Sequence, residues 1–436
     1  MEFRLQWLPP FDEASPEGVT FADWALYVSG RAATELEDLN ARTLRDSALV
    51  SVYPLAMFLA ANWWRLRWEP GSANPSAEWR LRHGLAAVGE GYAWPDITFA
   101  SDGESVCVEI GAGQPFSVAP VRYLANFTAW LPAAAFEEAV DEFLELVSGR
   151  LRAMGAAEDE LLDLWKEVRH ERRDADLARW RRLEALAGFD PDEAPQEFMT
   201  RLLQAGEETG SLALEELAAS SRAHALDDLH AVRQALEGRG AHFQVAELND
   251  LRDSVAPWLG GAASAPWQRA ACAARQAREH WRLDDAPVSN GRLREICGLP
   301  QGLIEADAVP TDSPYSASIH PDDEASGHII LNRRPVTSRR FAVCRLLGDR
   351  LYSTITGGDP LSTATDAYTV RQKFQRAFAQ ELLCPFDSLM GLLDTDSPSD
   401  EDIEGAADHF QVSPLLVRTA LVNRHVLPRE ALGQFG

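Results

Sequence analysis

The sequence predicts a multidomain α+β protein. Its 436 residues exceed what one hydrophobic core usually serves, and 46% hydrophobic with 25% charged residues is a globular composition. Short β-type runs surround helical stretches in the first third, whereas the middle of the chain is charged and helical. We therefore expect a mixed α+β domain at residues 1–150, a helical connector at 151–262 and a third domain at 263–436.

The first domain is expected to have an aromatic core, because eight of the 13 tryptophans fall in it. Its most apolar segment fits a helix that starts at Pro54, a favoured first-turn position, and stops before Pro70. Within it, Trp63 and Trp64 are expected to pack in the interior rather than to form a recognition surface. The expected strands are Phe3–Leu8, Ala22–Val28, Ile97–Phe99 and Val106–Ile110.

The connector shows helical spacing of its apolar residues. Leu161, Trp165 and Val168 recur at i, i+4 and i+7, which places them on one helical face. Turn residues at 188–195 separate two such helices, and the run LGGAASAP at 259–266 predicts a linker before the last domain.

Composition also limits the function classes. A formal net charge of −26 repels a phosphate backbone and argues against broad nucleic-acid binding. We find no apolar run long enough for a signal peptide or a membrane helix, so a cytoplasmic protein is expected. The five scattered cysteines predict reduced thiols rather than a disulfide scaffold: Cys107, Cys272, Cys297, Cys344 and Cys384.

The last domain contains several short sequence motifs in a fixed order. Short strands ending in GHIILNRRPVTSRR precede the helix FAVCRLLGDRLY, and a second helix, RQKFQRAFAQELLCP, precedes a closing helical segment. This order resembles the ImmA/IrrE family of bacterial metallopeptidases, in which a strand ending in Asn precedes a helix built on F-x-x-A-H-E-L-G-H. That family continues with F-A-x-E-L-L-x-P and F-x-V-S, and the resemblance implies a zincin-like fold. The matching residues are Ile329–Asn332, Phe341, Leu347, Gly348, Phe378–Pro385 and Phe410–Ser413.

The chemistry of that family needs two histidines at i and i+4 to bind zinc, with a Glu at i+1 to deprotonate the water. At these three positions the chain has Arg345, Leu346 and Asp349, and the position of the third ligand, a carboxylate in the family, holds Gln372. A guanidinium cannot ligate a metal and Leu cannot act as a base. The resemblance thus implies a degenerate site with no catalytic residue, no metal and no other cofactor.

Arg345 and Asp349 are spaced i, i+4, so we expect them to pair across one helical turn in place of the metal. A different zinc site would have to be assembled from His320, His328 and Cys344. No two of these three have the short spacing that marks a ligand pair.

Five arginines form a dense basic cluster within an acidic chain, and the resemblance places them at the mouth of the catalytic groove. The cluster is a candidate site for an anion, an acidic peptide or a phosphate. The alternative is a helix start with solvated arginines facing the acidic run 394–408. The five are Arg333, Arg334, Arg339, Arg340 and Arg345.

The closing segment predicts a helix, a QVS turn and a second helix that has Ser413 as N-cap and Pro414 in its first turn. The same outline suits a DNA-binding helix-turn-helix. Because Arg418 and Arg424 are the only cations offered by the second helix, a structural helical pair is the preferred interpretation.

The resemblance implies that active relatives cleave repressors or other regulators in stress, mobile-element and phage responses. We expect this chain to bind such a protein partner without cleaving it. One alternative is a metalloprotease with a non-standard metal site assembled in space. Another is a DNA-linked transcriptional regulator acting through residues 401–427.

Overall fold

The computed structural model describes residues 1–113, 120–156, 158–259, 265–305, 309–321, 326–357, 359–393 and 397–432. The chain divides into two compact units, unit 1 (Met1–Met199) and unit 2 (Thr200–Gly436), and the division falls within one helix. Each unit buries a hydrophobic core of its own. Both units contain helices and antiparallel sheets, which confirms the predicted α+β class.

Unit 1 combines ten strands with seven α-helices in its described residues, and an eighth helix spans the division. The strands are β1 (Glu2–Trp7), β2 (Phe21–Val28), β3 (Arg31–Ala32), β4 (Leu36–Asp38), β5 (Thr43–Arg45), β6 (Ala48–Ser51), β7 (Asp96–Ser101), β8 (Ser105–Gly111), β9 (Val121–Tyr123) and β10 (Phe127–Pro132). The helices are α1 (Pro16–Val19), α2 (Tyr53–Ala61), α3 (Trp63–Trp68), α4 (Ala77–His83), α5 (Ala133–Ala153), α6 (Glu160–Glu171), α7 (Ala175–Leu186) and α8 (Gln196–Thr209).

Three antiparallel sheets make up the β part of unit 1. In the first, β2 pairs with β1, β3 and β6; the other two have the orders β10-β8-β7 and β5-β4-β9. Three predicted strands are confirmed within β2, β7 and β8, and the fourth, Phe3–Leu8, coincides with β1 except for Leu8. On α5, Phe136, Val140, Phe143 and Val147 recur at helical spacing and are buried, so this long helix packs one apolar face into the core.

The predicted single helix at 54–70 is wrong in one respect, because it is two helices, α2 and α3, broken at Asn62. The Asn62 side chain donates to the carbonyl oxygen of Phe58 at 2.8 Å, a local bond that competes with helix continuation. The interior position of Trp63 and Trp64 is confirmed, since both are less than 5% exposed.

Unit 2 is built around a four-stranded antiparallel sheet of order β11-β13-β12-β14. Its strands are β11 (Ala241–Gln244), β12 (Ser316–Ile319), β13 (Ser326–Ile330) and β14 (Leu361–Ala364). Its helices are α9 (Ser211–Ser221), α10 (Ala225–Arg239), α11 (Leu248–Leu259), α12 (Pro266–His280), α13 (Asn290–Cys297), α14 (Val336–Thr356), α15 (Val370–Leu383), α16 (Phe386–Leu393), α17 (Asp400–Phe410) and α18 (Pro414–Asn423).

The predicted helical connector is not a separate part of the fold. It contains β11, which pairs with β13, and α11, whose Leu251 and Val255 lie in the core of unit 2. Because backbone pairing and apolar packing both join this segment to the last domain, the observed division near 199 differs from the predicted boundary at 262/263. Most of the predicted linker, residues 260–264, lies outside the described residues. No helix in the described residues is both long and apolar enough to span a membrane.

Candidate functional site

The candidate site lies between α14 and α15, which carry all four positions that the resemblance singles out. The helices approach closely because Gly348 has no side chain: a Cβ atom built there would lie 2.8 Å from the ring of Phe378. Arg345, Asp349 and Gln372 are all buried between these elements. Leu346 is fully buried in the hydrophobic core, so its side chain offers no polar group at all.

Arg345 and Gln372, the positions of two zinc ligands in the family, contact each other directly. Nη2 of Arg345 donates to Oε1 of Gln372 and to the carbonyl oxygen of Thr365, each at 2.5 Å. Nε2 of Gln372 donates to the carbonyl oxygen of Thr363 at 2.9 Å. Donor and acceptor of the Gln372 amide are therefore both used within the protein.

The predicted pair between Arg345 and Asp349 is wrong. Both carboxylate oxygens of Asp349 accept from Arg371, from Nε and Nη2 at 2.6 Å each, and one also accepts from Gln375 at 2.9 Å. Asp349 pairs with Arg371 and not with Arg345 because α15 places the planar guanidinium of Arg371 against the carboxylate. Such a bidentate contact is stronger than a single bond along one helix.

Further charges join this cluster from neighbouring elements. Glu216 on α9 accepts from the hydroxyl of Thr369 at 2.7 Å. Asp359 accepts from the backbone N–H of Ala213 at 2.7 Å and lies 3.7 Å from Arg371. With Arg376, the network contains three guanidinium groups and three carboxylates, so its formal charges balance. We call these six residues, of which Arg376 is only partly buried, the charge network: Arg345, Arg371, Arg376, Glu216, Asp349 and Asp359.

Burial and neighbouring charges shift the pKa values of this network in different directions. Burial raises the pKa of both Glu216 and Asp359. Burial opposes ionisation of Asp349 as well, but the Arg371 guanidinium outweighs it and lowers the pKa of that carboxyl. Burial lowers the pKa of Arg345 to about 9, so this guanidinium still carries its charge at neutral pH.

The loop 365–369, which joins β14 to α15, is fixed over this network by arginines. Arg345 bonds the carbonyl oxygen of Thr365, and Arg376 donates to that of Ala367 at 2.8 Å. Arg333 lies 3.6 Å from the carboxylate of Asp366 on the same loop. Three arginines therefore hold the loop. Of its side chains, Asp366, which is 77% exposed, and Tyr368 face the solvent, whereas the other three are buried.

These residues do not fit a zinc ion. Zinc needs imidazole, thiolate or carboxylate ligands, whereas Arg345 has no lone pair to give and both oxygens of Asp349 are engaged by Arg371. A divalent cation at this place would also face two guanidinium charges. Across the described part of the chain, no group of three or more His, Cys, Asp or Glu side chains is arranged to hold a metal ion.

The residues of the alternative zinc site are in unlike surroundings. His320 is fully buried, with its ring centroid 5.2 Å from that of Phe243, whereas His328 on β13 is exposed. Cys344 is buried in α14, and burial raises the pKa of its thiol to about 12, so the thiolate that a metal needs is disfavoured.

The predicted basic surface cluster is wrong for three of its five members, because Arg339, Arg340 and Arg345 point into the protein. Arg339 donates to the carbonyl oxygens of Arg333 and Glu305 at 2.7 and 2.6 Å. The split follows the helix start: Arg333 and Arg334 precede α14, which begins at Val336, whereas the other three arginines lie within a helix that is buried along most of its length. Of the cluster, Arg333 and Arg334 remain exposed.

Arg340 ties the start of α14 to two other parts of unit 2. It donates to the carbonyl oxygens of Gln411 and Val288 at 3.1 and 2.5 Å and to Oδ1 of Asn290 at 2.5 Å. The acidic run that was expected to face the cluster begins at 394–396, which lies outside the described residues.

The closing helical pair is confirmed as α17 and α18, with Ser413 accepting from the N–H of Leu416 at 3.2 Å and Pro414 in the first turn. Both cations of the second helix are engaged within the chain. Arg418 bonds Asp400 at 3.0 Å, and the Arg424 guanidinium lies 4.9 Å from the ring centroid of Phe386.

Sequence reasoning missed Arg371, Gln375, Glu216 and Asp359. A signal existed for the first two, since they lie one turn apart on α15 with Phe378, which marks the face that meets α14. Glu216 and Asp359 are remote in sequence and carry no comparable signal.

Comparison with known proteins returns no match: no family model, no curated protein and no solved structure matches the chain. The ImmA/IrrE resemblance, and the roles it implies for Arg345, Leu346, Asp349 and Gln372, therefore stay predictions drawn from the residues.

Proposed function

We propose that unit 2 is a metal-independent module that binds a protein partner and does not hydrolyse peptide bonds. The observation that carries this proposal is the contact of Arg345 with Gln372, beside the pair of Asp349 with Arg371. On the ImmA/IrrE resemblance, Arg345, Asp349 and Gln372 take the places of the zinc ligands. The same resemblance suggests a role in a stress, mobile-element or phage response.

The chemistry of the residues supports the lack of peptidase activity. Metal-assisted hydrolysis needs a polarised water and a base beside it. The position of the base is Leu346, packed in the core, and the positions of the ligands hold groups already bonded to one another. A reacting water would have neither a metal nor a base.

A binding role is supported by the surface above the network. The loop 365–369 is held in one arrangement by Arg345 and Arg376, and it presents Asp366 and a partly exposed Tyr368 beside Arg333. A fixed loop with an aromatic ring and charges of both signs suits protein recognition, because little entropy is lost on ordering it.

Zinc content tests the non-catalytic half of the proposal. We expect the purified full chain, dialysed against excess zinc and then buffer, to retain well under about 0.1 zinc per chain by elemental analysis. About one zinc per chain, lost in Asp349→Ala or Gln372→Ala, would contradict it.

A restoration variant tests whether the network occupies a former metal site. Arg345→His, Asp349→His and Gln372→Glu together supply two imidazoles and a carboxylate, and we expect this triple variant to gain zinc. The matched control places the same residue types on the surface, as Arg333→His, Arg334→His and Asp366→Glu. Equal zinc uptake by both variants would remove the support that the geometry gives to the resemblance.

Partner capture tests the binding half. The immobilised full chain should retain a protein from a lysate of its own source organism, and Arg333→Glu with Tyr368→Ala should lose it. Arg239→Glu, an exposed change at the end of α10, is the matched control and should keep it. A protein retained equally by all three chains would count against the loop surface.

A further inference from the structure

A concave pocket of about 410 Å³ lies beside α2 in unit 1. The pocket is open to solvent, so it is a surface depression and not an enclosed cavity. The pocket concerns unit 1 alone and goes beyond the function proposed for unit 2. Its lining includes Glu17, Tyr53, Met57, Phe58, Val88 and Glu90.

The floor of the pocket is apolar. Met57, Phe58 and Val88 are only partly buried there, so their surfaces are open to a ligand. α2 has the sequence YPLAMFLAA and carries no charged residue. An alkyl chain laid on this floor would cover exposed apolar area, and a methionine side chain adapts readily to the shape of what covers it.

The rim of the pocket is acidic. Glu17 and Glu90 both line it, and no Lys, Arg or His is among its described lining residues. The hydroxyl of Tyr53 donates to the carboxylate of Asp159 at 3.2 Å. Burial, together with the charges of Asp159, Glu160 and Glu17, raises the pKa of Tyr53, so the phenol stays protonated in a field that favours cations.

We infer that this pocket binds a lysine or arginine side chain presented by a protein partner. The alkyl stem of such a side chain matches the floor formed by Met57 and Phe58, and its cationic head matches Glu17 and Glu90 at the rim. The formal net charge of −26 adds a long-range attraction for a basic partner and repels nucleic acid.

A labelled peptide serves as the probe. The full-length chain is titrated into a fluorescein-labelled amphipathic dodecapeptide that carries three lysines among leucines, and binding is followed by anisotropy at low and high salt. We expect saturable binding that weakens as salt rises, and no binding of the same peptide with glutamates in place of its lysines.

Two variants test whether the peptide occupies this pocket. Glu17→Gln with Glu90→Gln should weaken binding about 5- to 10-fold and flatten its salt dependence. Ala61→Arg places a cation at the rim on an exposed residue at the end of α2, and it should weaken binding at least as much. The matched control is Glu35→Gln with Glu142→Gln, two exposed carboxylates that do not line the pocket.

Three results would overturn the inference. One is the absence of saturable binding by the unmodified chain, and another is an equal loss of binding in the pocket variant and the matched control, which would mean general electrostatic attraction. The third is binding of n-hexylamine, measured directly by calorimetry, without any binding of the lysine peptide. That result would assign the pocket to a small amine instead of a protein.

Discussion

Asp349 and Arg371 form a fully buried ion pair in which both carboxylate oxygens lie 2.6 Å from nitrogens of one guanidinium. The pair joins the middle of α14 to the first turn of α15. Two charges so far from water hold each other in place, and the loss of either leaves the other buried without its bidentate partner. This property makes the pair the most direct point at which to test the network.

We expect Asp349→Ala to destabilise unit 2 by about 3 to 5 kcal/mol, because the buried Arg371 loses its bidentate partner and keeps the longer contact to Asp359, at 3.7 Å. Asp349→Leu with Arg371→Met removes both charges and should restore most of this loss. Urea unfolding of the full chain, with hydrogen exchange of peptides from α14 and α15, would measure the effect. The control is Asp366→Ala, on a residue that is 77% exposed, which should change stability by less than about 1 kcal/mol.

A loss in the double variant as large as in Asp349→Ala would contradict this account. It would mean that the charges are needed for the shape of the site and not merely for compensation of each other.

The sequence predicts those features of the site that depend on local interactions. The order of short sequence motifs predicted the helices α14 and α15 and the positions of Arg345 and Gln372 on them. The partner of Asp349 was not, because the i, i+4 rule considers one helix only, whereas the actual partner depends on how α15 is rotated against α14.

The inward arginines and the strand β11 were missed for a related reason. Arg339 and Arg340 look like surface cations in the sequence, and acceptors that are remote in the chain, such as the carbonyl oxygens of Glu305 and Val288, make their burial favourable. β11 is four residues long and follows directly on α10, so its pairing with β13, and not its own pattern, defines it.

Arg340→Ala should destabilise unit 2 by about 3 to 5 kcal/mol, since it leaves the buried carbonyl oxygen of Val288 without its donor and removes the bond to the carbonyl oxygen of Gln411. Hydrogen exchange should show the largest loss of protection in α17 and α18. Arg334→Ala, at an exposed position of the same segment, should change stability by less than about 0.5 kcal/mol. Equal effects of the two substitutions would mean that Arg340 is a surface cation, as the sequence predicts.

Gly348→Ala should destabilise by about 1 to 3 kcal/mol, because its Cβ atom would lie 2.8 Å from the Phe378 ring and push α14 away from α15. Gly405→Ala is the matched control within α17, where an added Cβ meets nothing within 4 Å. There the substitution should stabilise by about 0.5 to 1 kcal/mol through helix propensity. If Gly348→Ala stabilised the protein as Gly405→Ala does, the helices would not be in close contact at Gly348.

The stability of unit 2 should depend on the protonation of Glu216. Burial raises the pKa of this carboxyl above its ordinary value near 4.5, so the folded state binds the proton more tightly than the unfolded state does. Its contribution to stability is therefore fully present below the unfolded pKa and is lost as the pH rises through the raised folded pKa. Asp359 shifts in the same direction, whereas Asp349, with a lowered pKa, contributes stability that is lost only as the pH falls below its ordinary range.

Glu216→Gln removes this titration and keeps an oxygen that accepts from Thr369. We expect the variant to be more stable than the unmodified chain at pH 7, by about 1.4 kcal/mol for each unit by which the pKa is raised. The difference should shrink towards zero near pH 4.5. Glu237→Gln, which neutralises an exposed carboxylate on α10, controls for the general relief of negative charge. A difference that does not change with pH, or one matched by Glu237→Gln, would mean that Glu216 is held as a carboxylate by Arg371 and has no raised pKa.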